Sequence, residues 1–385
     1  MKSKSIKGNS TEEIQAALDQ AMEDGFTPTV AVVFISVKQD RTSLINVFRQ
    51  KNIEVFGASS SGEFINGHQT VGGIVILLLE LAPEKYKIIF EEIKDENLNE
   101  SISRLANKAS AQFQNPSLII CSSSIRQNGD WLDGKKVVSA MKQSFGPETI
   151  FFGGMAGDDW ELRQSFVFTS EIITDYGISA LVLDGDQITM SGMAITGWKP
   201  MGIKRTATKS KNYFLYEIDG QPAVELYMKY LGKESKLLGK DFNIFKELSL
   251  EYPFITERGE NETLLITPRE INREENALVL DMPLPEGSKF WFAQPPEFDI
   301  VEEVLSKAAQ LQESTNDYAD ALLVFSCAGR QPVLGPLATE ENDGLAEVWK
   351  TPMAGFFTYG EYGRSFYGKP NIHSGACCWV ALKEK

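Results

Sequence analysis

The stretch Thr149-Ile-Phe-Phe-Gly-Gly-Met-Ala-Gly-Asp-Asp-Trp160 contains the pattern that decides the fold of this 385-residue chain. Its apolar first half is typical of a buried strand, and the small residues that follow predict a tight turn. The same order, a strand and then a turn of small residues, occurs at residues 53–63 and 353–361. In all three stretches the turn holds a glycine followed by an acid, at Gly62-Glu63, Gly157-Asp158 and Gly360-Glu361.

Each of these stretches is preceded by the same series of elements. Apolar residues at helical spacing predict helices, and β-branched apolar runs at residues 29–36, 117–124 and 321–328 predict buried strands. We therefore predict three degenerate copies of one unit: helix, strand, helix, strand, small-residue turn and hairpin strand. The predicted fold class is α/β, with two domains of mixed sheets and with helices that cover strands apolar on both faces.

Residues 191–289 do not follow this pattern, since much of this segment is charged and irregular. We interpret it as the junction between an N-terminal domain, residues 1–220, and a C-terminal domain, residues 221–385. Two domains agree with the length of the chain, because a domain commonly has ~150 residues.

The charge of the chain excludes several classes of partner. With 38 basic and 53 acidic residues the net charge is −15, which disfavours binding to nucleic acid or to anionic membranes. The longest apolar run, residues 74–79, is too short to span a bilayer, so we expect no membrane insertion. The N-terminus lacks the apolar core of a signal peptide, and the four cysteines do not form a secreted disulfide framework, so we expect a cytoplasmic protein.

The three turns are the candidate binding site. If they converge, their carboxylates, hydroxyls and exposed amides form a polar cup. Arg330, after the third buried strand, could hold a carboxylate bidentately while the acids hold an ammonium group, so the cup would suit a zwitterion such as an amino acid. The alternative is that the carboxylates bond local amides and that Arg330 forms a structural ion pair. The candidate ligand-binding residues are Ser59, Ser60, Glu63, Gly154, Asp158, Asp159, Trp160, Arg330, Tyr359 and Glu361.

Other chemistry has less support in the sequence. Residues 58–62 resemble a nucleophile elbow with Ser60 as nucleophile and His373 as base, but the elbow needs a strand-to-helix turn, and a strand follows here. We therefore predict that the protein is not an enzyme, with a serine hydrolase as the alternative. The only histidines are His68 and His373 and there is no Cys-x-x-Cys, so we expect no metal site and no cofactor.

Six spaced motifs of the chain together resemble the FIST family. They are Gly57-Ala-Ser-Ser-Ser-Gly-Glu63, Gly153-Gly-Met-Ala-Gly-Asp-Asp-Trp160, Gly197-Trp-Lys-Pro200, Glu217-Ile-Asp-Gly-Gln-Pro-Ala223, Phe325-Ser-Cys-Ala-Gly-Arg330 and Gly355-Phe-Phe-Thr-Tyr-Gly-Glu361. The resemblance implies a FIST N domain followed by a FIST C domain.

The resemblance also implies a function. FIST proteins are regarded as sensory input modules of bacterial signal transduction, and small ligands such as amino acids have been proposed for them. Members are often fused to kinases, chemotaxis-receptor or cyclic-nucleotide signalling domains, and some stand alone. This chain shows no output domain, so we expect it to signal through a separate partner. Some relatives bind haem and sense nitric oxide, which leaves haem as an alternative with His373 as the natural axial ligand. Against it, the chain has His373-Ser-Gly-Ala376 where relatives often have His-Asn-x-Thr.

Overall fold

The computed structural model describes residues 1–93, 97–233, 239, 242–257, 263–315, 318–365 and 368–385. They form two compact units, one of residues 1–195 with 298–385 and one of residues 196–297. Among the residues described, no helix is both long enough and apolar enough to cross a bilayer.

Two copies of the predicted unit follow each other at the start of the chain. The first contains β1 (Lys2–Gly8), α1 (Thr11–Met22), β2 (Val30–Ile35), α2 (Arg41–Gln50), β3 (Glu54–Ser59), β4 (Glu63–Ile65), β5 (His68–Thr70) and β6 (Ile74–Glu80). The second contains β7 (Tyr86–Glu92), α3 (Leu98–Gln112), β8 (Pro116–Ser122), α4 (Gly134–Phe145), β9 (Phe151–Met155), β10 (Val167–Thr169), β11 (Ile173–Thr174) and β12 (Gly177–Asp184). The side chains of Ser10, Asp40, Asn97 and Asp133 accept backbone N–H bonds and so fix where these four helices begin.

The third copy is split by the second compact unit. It opens with β13 (Ile188–Ile195), after which the chain forms β14 (Lys199–Lys211), β15 (Phe214–Ile218), β16 (Gln221–Pro222), α5 (Ala223–Tyr230), β17 (Phe254–Glu257), β18 (Thr263–Ile266), β19 (Pro268–Asn272), β20 (Ala277–Leu280) and β21 (Lys289–Gln294). The third copy then continues with α6 (Ile300–Thr315), β22 (Ala321–Cys327), α7 (Arg330–Leu334), α8 (Pro336–Trp349), β23 (Met353–Thr358), β24 (Glu361–Gly363), β25 (Asn371–His373) and β26 (Cys377–Glu384). The predicted threefold repetition is confirmed.

Residues 191–289 are more ordered than the sequence predicted. Strands β14 to β21 form an eight-stranded sheet of their own, and aromatic residues such as Tyr227, Phe254 and Phe292 are buried in this unit. Sequence periodicity missed most of this sheet because its strands, apart from β14, are short and are separated by charged loops, parts of which lie outside the described residues. The predicted division at residues 220 and 221 falls inside this unit, and as a boundary of family domains it stays a prediction.

Each copy contributes four equivalent strands to a six-stranded sheet of its own in the first unit. A parallel pair (β2–β3, β8–β9, β22–β23) is flanked by an antiparallel return strand (β6, β12, β26) and then by an outer strand (β1, β7, β13). The hairpin that follows each turn pairs with the sheet of another copy. Strand β4 of the first copy pairs with β23 of the third, β10 of the second with β3 of the first, and β24 of the third with β9 of the second.

The inner faces of the three sheets enclose one core. Phe34, Phe152, Phe325 and Phe356 from the three copies are completely buried there, and the rings of Phe34 and Phe356 stack at 4.4 Å. Helices α1 and α2 cover the outer face of the first sheet, and α6 and α8 that of the third. Because every parallel strand is buried on both faces, the carboxyl ends of β3, β9 and β23 are held rigidly. The three turns begin at these strand ends.

Candidate functional site

The three turns converge, as the hypothesis of a polar cup requires. Each parallel strand end accepts a hydrogen bond from the turn of another copy, so that the bonds run around a closed ring. They join Ser61 N–H to the Phe357 carbonyl at 3.0 Å, Tyr359 N–H to the Met155 carbonyl at 3.0 Å, and Gly157 N–H to the Ser59 carbonyl at 2.9 Å.

The first and third turns each bury a glutamate in an equivalent way. Glu361 accepts bonds from Thr358 Oγ1 at 2.5 Å and from Ala376 N–H at 3.1 Å. Glu63 accepts from the hydroxyl of Ser60 and, at 3.1 Å, from Gly73 N–H. Both carboxyls are completely buried, and desolvation raises the pKa of each to about 8. These acids therefore bond local groups, which is the alternative that the sequence left open.

The second turn breaks the symmetry. The first strand of each hairpin starts its pairing at an equivalent position of its partner strand. Glu63 lies opposite Phe356, Glu361 lies opposite Gly154, and Val167 of β10 lies opposite Ala58. The position of the buried glutamate in this copy is therefore Val167, and not Asp158 as the Gly-acid pattern predicted. Residues 158–165 are an insertion, which we call the inserted loop.

Asp158 organises the inserted loop. Its carboxylate accepts the N–H groups of Leu162, Arg163 and Gln164 at 3.0, 2.6 and 3.0 Å. It also accepts a hydrogen bond from the hydroxyl of Tyr359 at 2.6 Å. Burial raises the pKa of Tyr359, so its phenol stays protonated. Asp158 is thus a structural residue of the site.

The backbone of the inserted loop is held in an unusual conformation. Asp159, Trp160 and Leu162 have φ angles of 54°, 64° and 53°, in the left-handed region that residues other than glycine seldom adopt. Strain of this kind clusters at functional sites, where the surrounding structure holds it in place.

This backbone conformation brings the carboxylate of Asp159 to Ser36 and Lys38. Its side chain is 0% exposed, and its Oδ2 accepts the hydroxyl of Ser36 at 2.5 Å and lies 3.7 Å from Nζ of Lys38. Its Oδ1 is buried and has no hydrogen-bond partner among the described residues. The charge of Asp159 also contributes to the raised pKa of Glu63, so the two carboxyls lie near each other. A buried carboxylate oxygen without a donor is costly, and a group that donates to it would be bound strongly.

Three half-buried aromatic rings border the inserted loop. Tyr359 lies 6.1 Å from Trp160 and 6.0 Å from Trp131, measured between ring centroids. Its hydroxyl accepts the N–H of Trp160 at 3.0 Å. The sequence singled out Trp160 and Tyr359 but missed Trp131, which comes from a loop of the second copy with no periodic signal.

Ser59 and Gly154 have structural roles. The Ser59 hydroxyl donates to the Gly157 carbonyl at 2.6 Å and accepts the N–H of Phe166 at 2.8 Å, so it ties both ends of the inserted loop to β3. A Cβ atom on Gly154 would lie 2.5 Å from Cγ2 of Thr358, so only glycine fits between the crossing strands.

Arg330 needs a correction. The sequence predicted that its charge lies at an open strand end and holds a ligand carboxylate. The side chain is instead completely buried. Its guanidinium forms a bidentate pair with Glu341 of α8 and donates to the Gly375 carbonyl at 2.9 Å. A ligand carboxylate would have to displace Glu341, so this is the structural ion pair that the sequence left as the alternative. No pattern in the sequence distinguishes Glu341 from the other acids of that segment.

The residues required by the haem and hydrolase alternatives are engaged elsewhere. His373 is 5% exposed within β25, and its Nε2 lies 3.3 Å from the carbonyl oxygen of Gly363, so it does not fit an axial ligand in this arrangement. The Ser60 hydroxyl is buried and points to Glu63, and not to a histidine. Within the described part of the chain, no group of three or more metal-ligating side chains could hold a metal ion.

Two family models match this chain. That of the FIST N domain matches residues 29–221 and that of the FIST C domain residues 223–364. An uncharacterized protein of Methanocaldococcus jannaschii is 26% identical over 209 residues. The alignment includes 51% of this chain and 39% of that relative, so the chain spans well under half the length of the relative that it matches.

Proposed function

The chain belongs to the FIST family of sensory domains, and from this premise we propose that it binds a small polar ligand at the inserted loop and passes the signal to a partner. The observation that carries the proposal is the Oδ1 atom of Asp159, which is buried without a hydrogen-bond donor on a strained backbone. The complementary group of the ligand is an amine, because an ammonium group supplies both the donor and the opposite charge. Amino acids are therefore the first ligands to test.

The ligand enters from the side of Lys38. This side chain is 61% exposed and reaches the buried carboxylate of Asp159 from solvent. An ammonium group that replaces the Lys38 contact would pair with Asp159 and release the lysine. The neighbouring Trp160 and Tyr359 offer aromatic surface to the rest of the ligand, and aromatic faces also attract cations.

Binding signals through the inserted loop. The loop is joined to the first copy through Ser36 and Ser59, and to the third copy through Tyr359. A ligand that satisfies Asp159 in one arrangement of these contacts and not in another shifts the population between them, as differential affinity requires. The receiving partner would be a separate protein, such as a kinase or a cyclic-nucleotide enzyme.

The proposal describes binding without catalysis and without a resident cofactor. The predicted cytoplasmic location belongs to it as well, and it is supported by the four free cysteines. The hydrolase alternative differs in its consequence, because Ser60→Ala would abolish turnover of an ester substrate but would leave binding of an amine at Asp159 largely intact.

The test is a thermal-shift and calorimetry panel of the twenty amino acids and simple amines on the full chain. Asp159→Asn keeps the shape of the side chain and tolerates the left-handed backbone, but removes the charge. We expect it to raise the Kd of a binding amine roughly 30-fold or more, which corresponds to ~2 kcal/mol. The matched control is Glu84→Gln at an exposed position, which should leave the Kd unchanged. Equal affinity of the wild type and Asp159→Asn would refute the proposal.

A further inference from the structure

A second charged residue, Arg41, is attached to the same strand end as Asp159. We propose that Arg41, the first residue of α2, binds a carboxylate group of the ligand, so that Asp159 and Arg41 are the two poles of a site for a zwitterion. This inference rests on the proposed function, since it takes the amine of the ligand to occupy Asp159.

The two poles are attached to the same short segments. Asp159 accepts the hydroxyl of Ser36, and Nη1 of Arg41 donates at 3.1 Å to the carbonyl oxygen of the next residue, Val37. The guanidinium of Arg41 also lies over the ring of Phe166, 4.1 Å from its centroid. Phe166 directly follows the inserted loop that contains Asp159. One strand end and one loop thus carry both groups.

Arg41 retains unused capacity to donate hydrogen bonds. Its Nε is buried and has no hydrogen-bond partner in the described ranges of the chain. The adjacent Asp40 is occupied as the cap of α2, where it accepts from Thr42 N–H, Ser43 N–H and the Ser43 hydroxyl. A guanidinium stacked on an aromatic ring, with its fork partly unfilled, is suited to bidentate binding of a carboxylate.

The electrostatics agree with this geometry. Burial lowers the pKa of Arg41, because its positive charge is partly removed from water. The residue is nevertheless only partly buried. Arg330 is fully matched by Glu341. The arginine that serves a ligand carboxylate is therefore Arg41, and not the one that the sequence motif indicated.

The experiment compares three matched probes on the full chain: phenylalanine, phenylalanine amide and phenethylamine. All three carry the amine, and only the first carries the carboxylate. A second set with alanine, alaninamide and ethylamine removes the aromatic contribution. Isothermal titration calorimetry is done on the wild type, Arg41→Gln and Arg41→Lys, with Arg49→Gln as the control from the same helix. Melting temperatures of all variants are recorded.

We expect the wild type to prefer the acid over the amide and the amine by roughly 30-fold or more. Arg41→Gln should remove this preference by weakening the acid alone, and the amide and amine should keep their affinities within roughly threefold. Arg41→Lys should restore part of the preference, because it returns the charge but not the planar fork. Arg49→Gln should match the wild type.

The outcomes against the inference are separate from those against the proposed function. If the wild type binds acid, amide and amine equally, Arg41 does not read a carboxylate, although the amine site stands. If Arg41→Gln weakens all three probes alike together with the melting temperature, Arg41 only supports the loop, and the inference is overturned. If neither these probes nor any member of the panel of amino acids and amines binds the wild type, both the inference and the proposed function fail. If another amino acid of the panel binds, the same comparison is made with that acid, its amide and its decarboxylated amine.

Discussion

The stability of the first compact unit should fall as the pH rises, because two glutamates are buried in equivalent turns. The pKa of Glu63 and that of Glu361 are each raised to about 8 in the folded chain, against 4.5 as the ordinary value. A carboxyl with a raised pKa holds a proton in the folded state that the unfolded chain has released. Its contribution is therefore fully present below pH 4.5 and is lost as the pH rises toward 8.

The size of the effect follows from linkage. Each such carboxyl reduces the free energy of unfolding by about 1.4 kcal/mol per pH unit between its two pKa values. From pH 6 to pH 8 the loss is about 2 kcal/mol per glutamate, since the slope flattens as the folded pKa is reached. For Glu63 and Glu361 together it is about 4 kcal/mol, a large part of the stability of a typical domain.

Glutamine substitutions measure the two contributions separately. Glutamine is neutral at all pH values, and in Glu63→Gln its Oε1 accepts Gly73 N–H while its Nε2 donates to the Ser60 hydroxyl. We expect urea unfolding at pH 6, 7 and 8, followed by circular dichroism, to show about half of the wild-type pH slope in Glu63→Gln or Glu361→Gln. The double variant should show little slope from these sites. Exposed Glu84→Gln is the control, and parallel slopes in all variants would refute the reasoning.

Three further predictions concern single contacts. Arg330→Met should lower the free energy of unfolding by ~3–5 kcal/mol, because it leaves Glu341 buried without its partner. The double variant Arg330→Met/Glu341→Leu should recover most of this loss in urea unfolding, and a double variant as unstable as the single one would contradict the ion-pair account. Gly153→Ala should prevent stable folding, since its Cβ would lie 1.8 Å from the Ile120 carbonyl oxygen, whereas Gly67→Ala in open space should cost only about 1–2 kcal/mol for its positive φ, as thermal unfolding can show. Phe34→Ala should cost ~3–5 kcal/mol by removing one ring of the stacked Phe34–Phe356 pair, and Phe298→Ala, at a 92% exposed position, should leave the melting temperature unchanged.

The repeating unit could be predicted because its signals are local. Apolar runs give the buried strands, capping residues give the helix starts, and glycine with an acid gives the turns. The exchange of hairpins could not be predicted, because pairing between Glu63 and Phe356 depends on contacts far apart in the chain. For the same reason the Gly-acid pattern placed Asp158 with Glu63 and Glu361, although the pairing register gives that position to Val167.

The sequence predicted only some of the residues of the proposed site, and that these residues bind a ligand stays a prediction. The turns, with Asp159, Trp160 and Tyr359, were identified from the sequence, because small residues and acids after strands mark places where a ligand can approach. Arg330 was chosen over Arg41 because it lies in a conspicuous motif, and only the packing of α8 shows that Glu341 already occupies it. Ser36 and Lys38 follow a buried strand as an ordinary loop, and no sequence signal ties them to Asp159.

The exchanged hairpins have a consequence for the order in which the protein is made. Strand β4 leaves the ribosome long before its partner β23, and the third copy is interrupted by the whole of residues 196–297 before α6 begins. Until β22 to β26 have been synthesised, the hairpin of the first copy has no sheet to join, and β9 lacks β24. The first unit is therefore expected to complete its fold only after synthesis of its last segment, whereas residues 196–297 have all the strands of their own sheet earlier. A truncated chain that ends before residue 321 should accordingly protect this sheet from protease, although the three turns of the first unit have not yet converged.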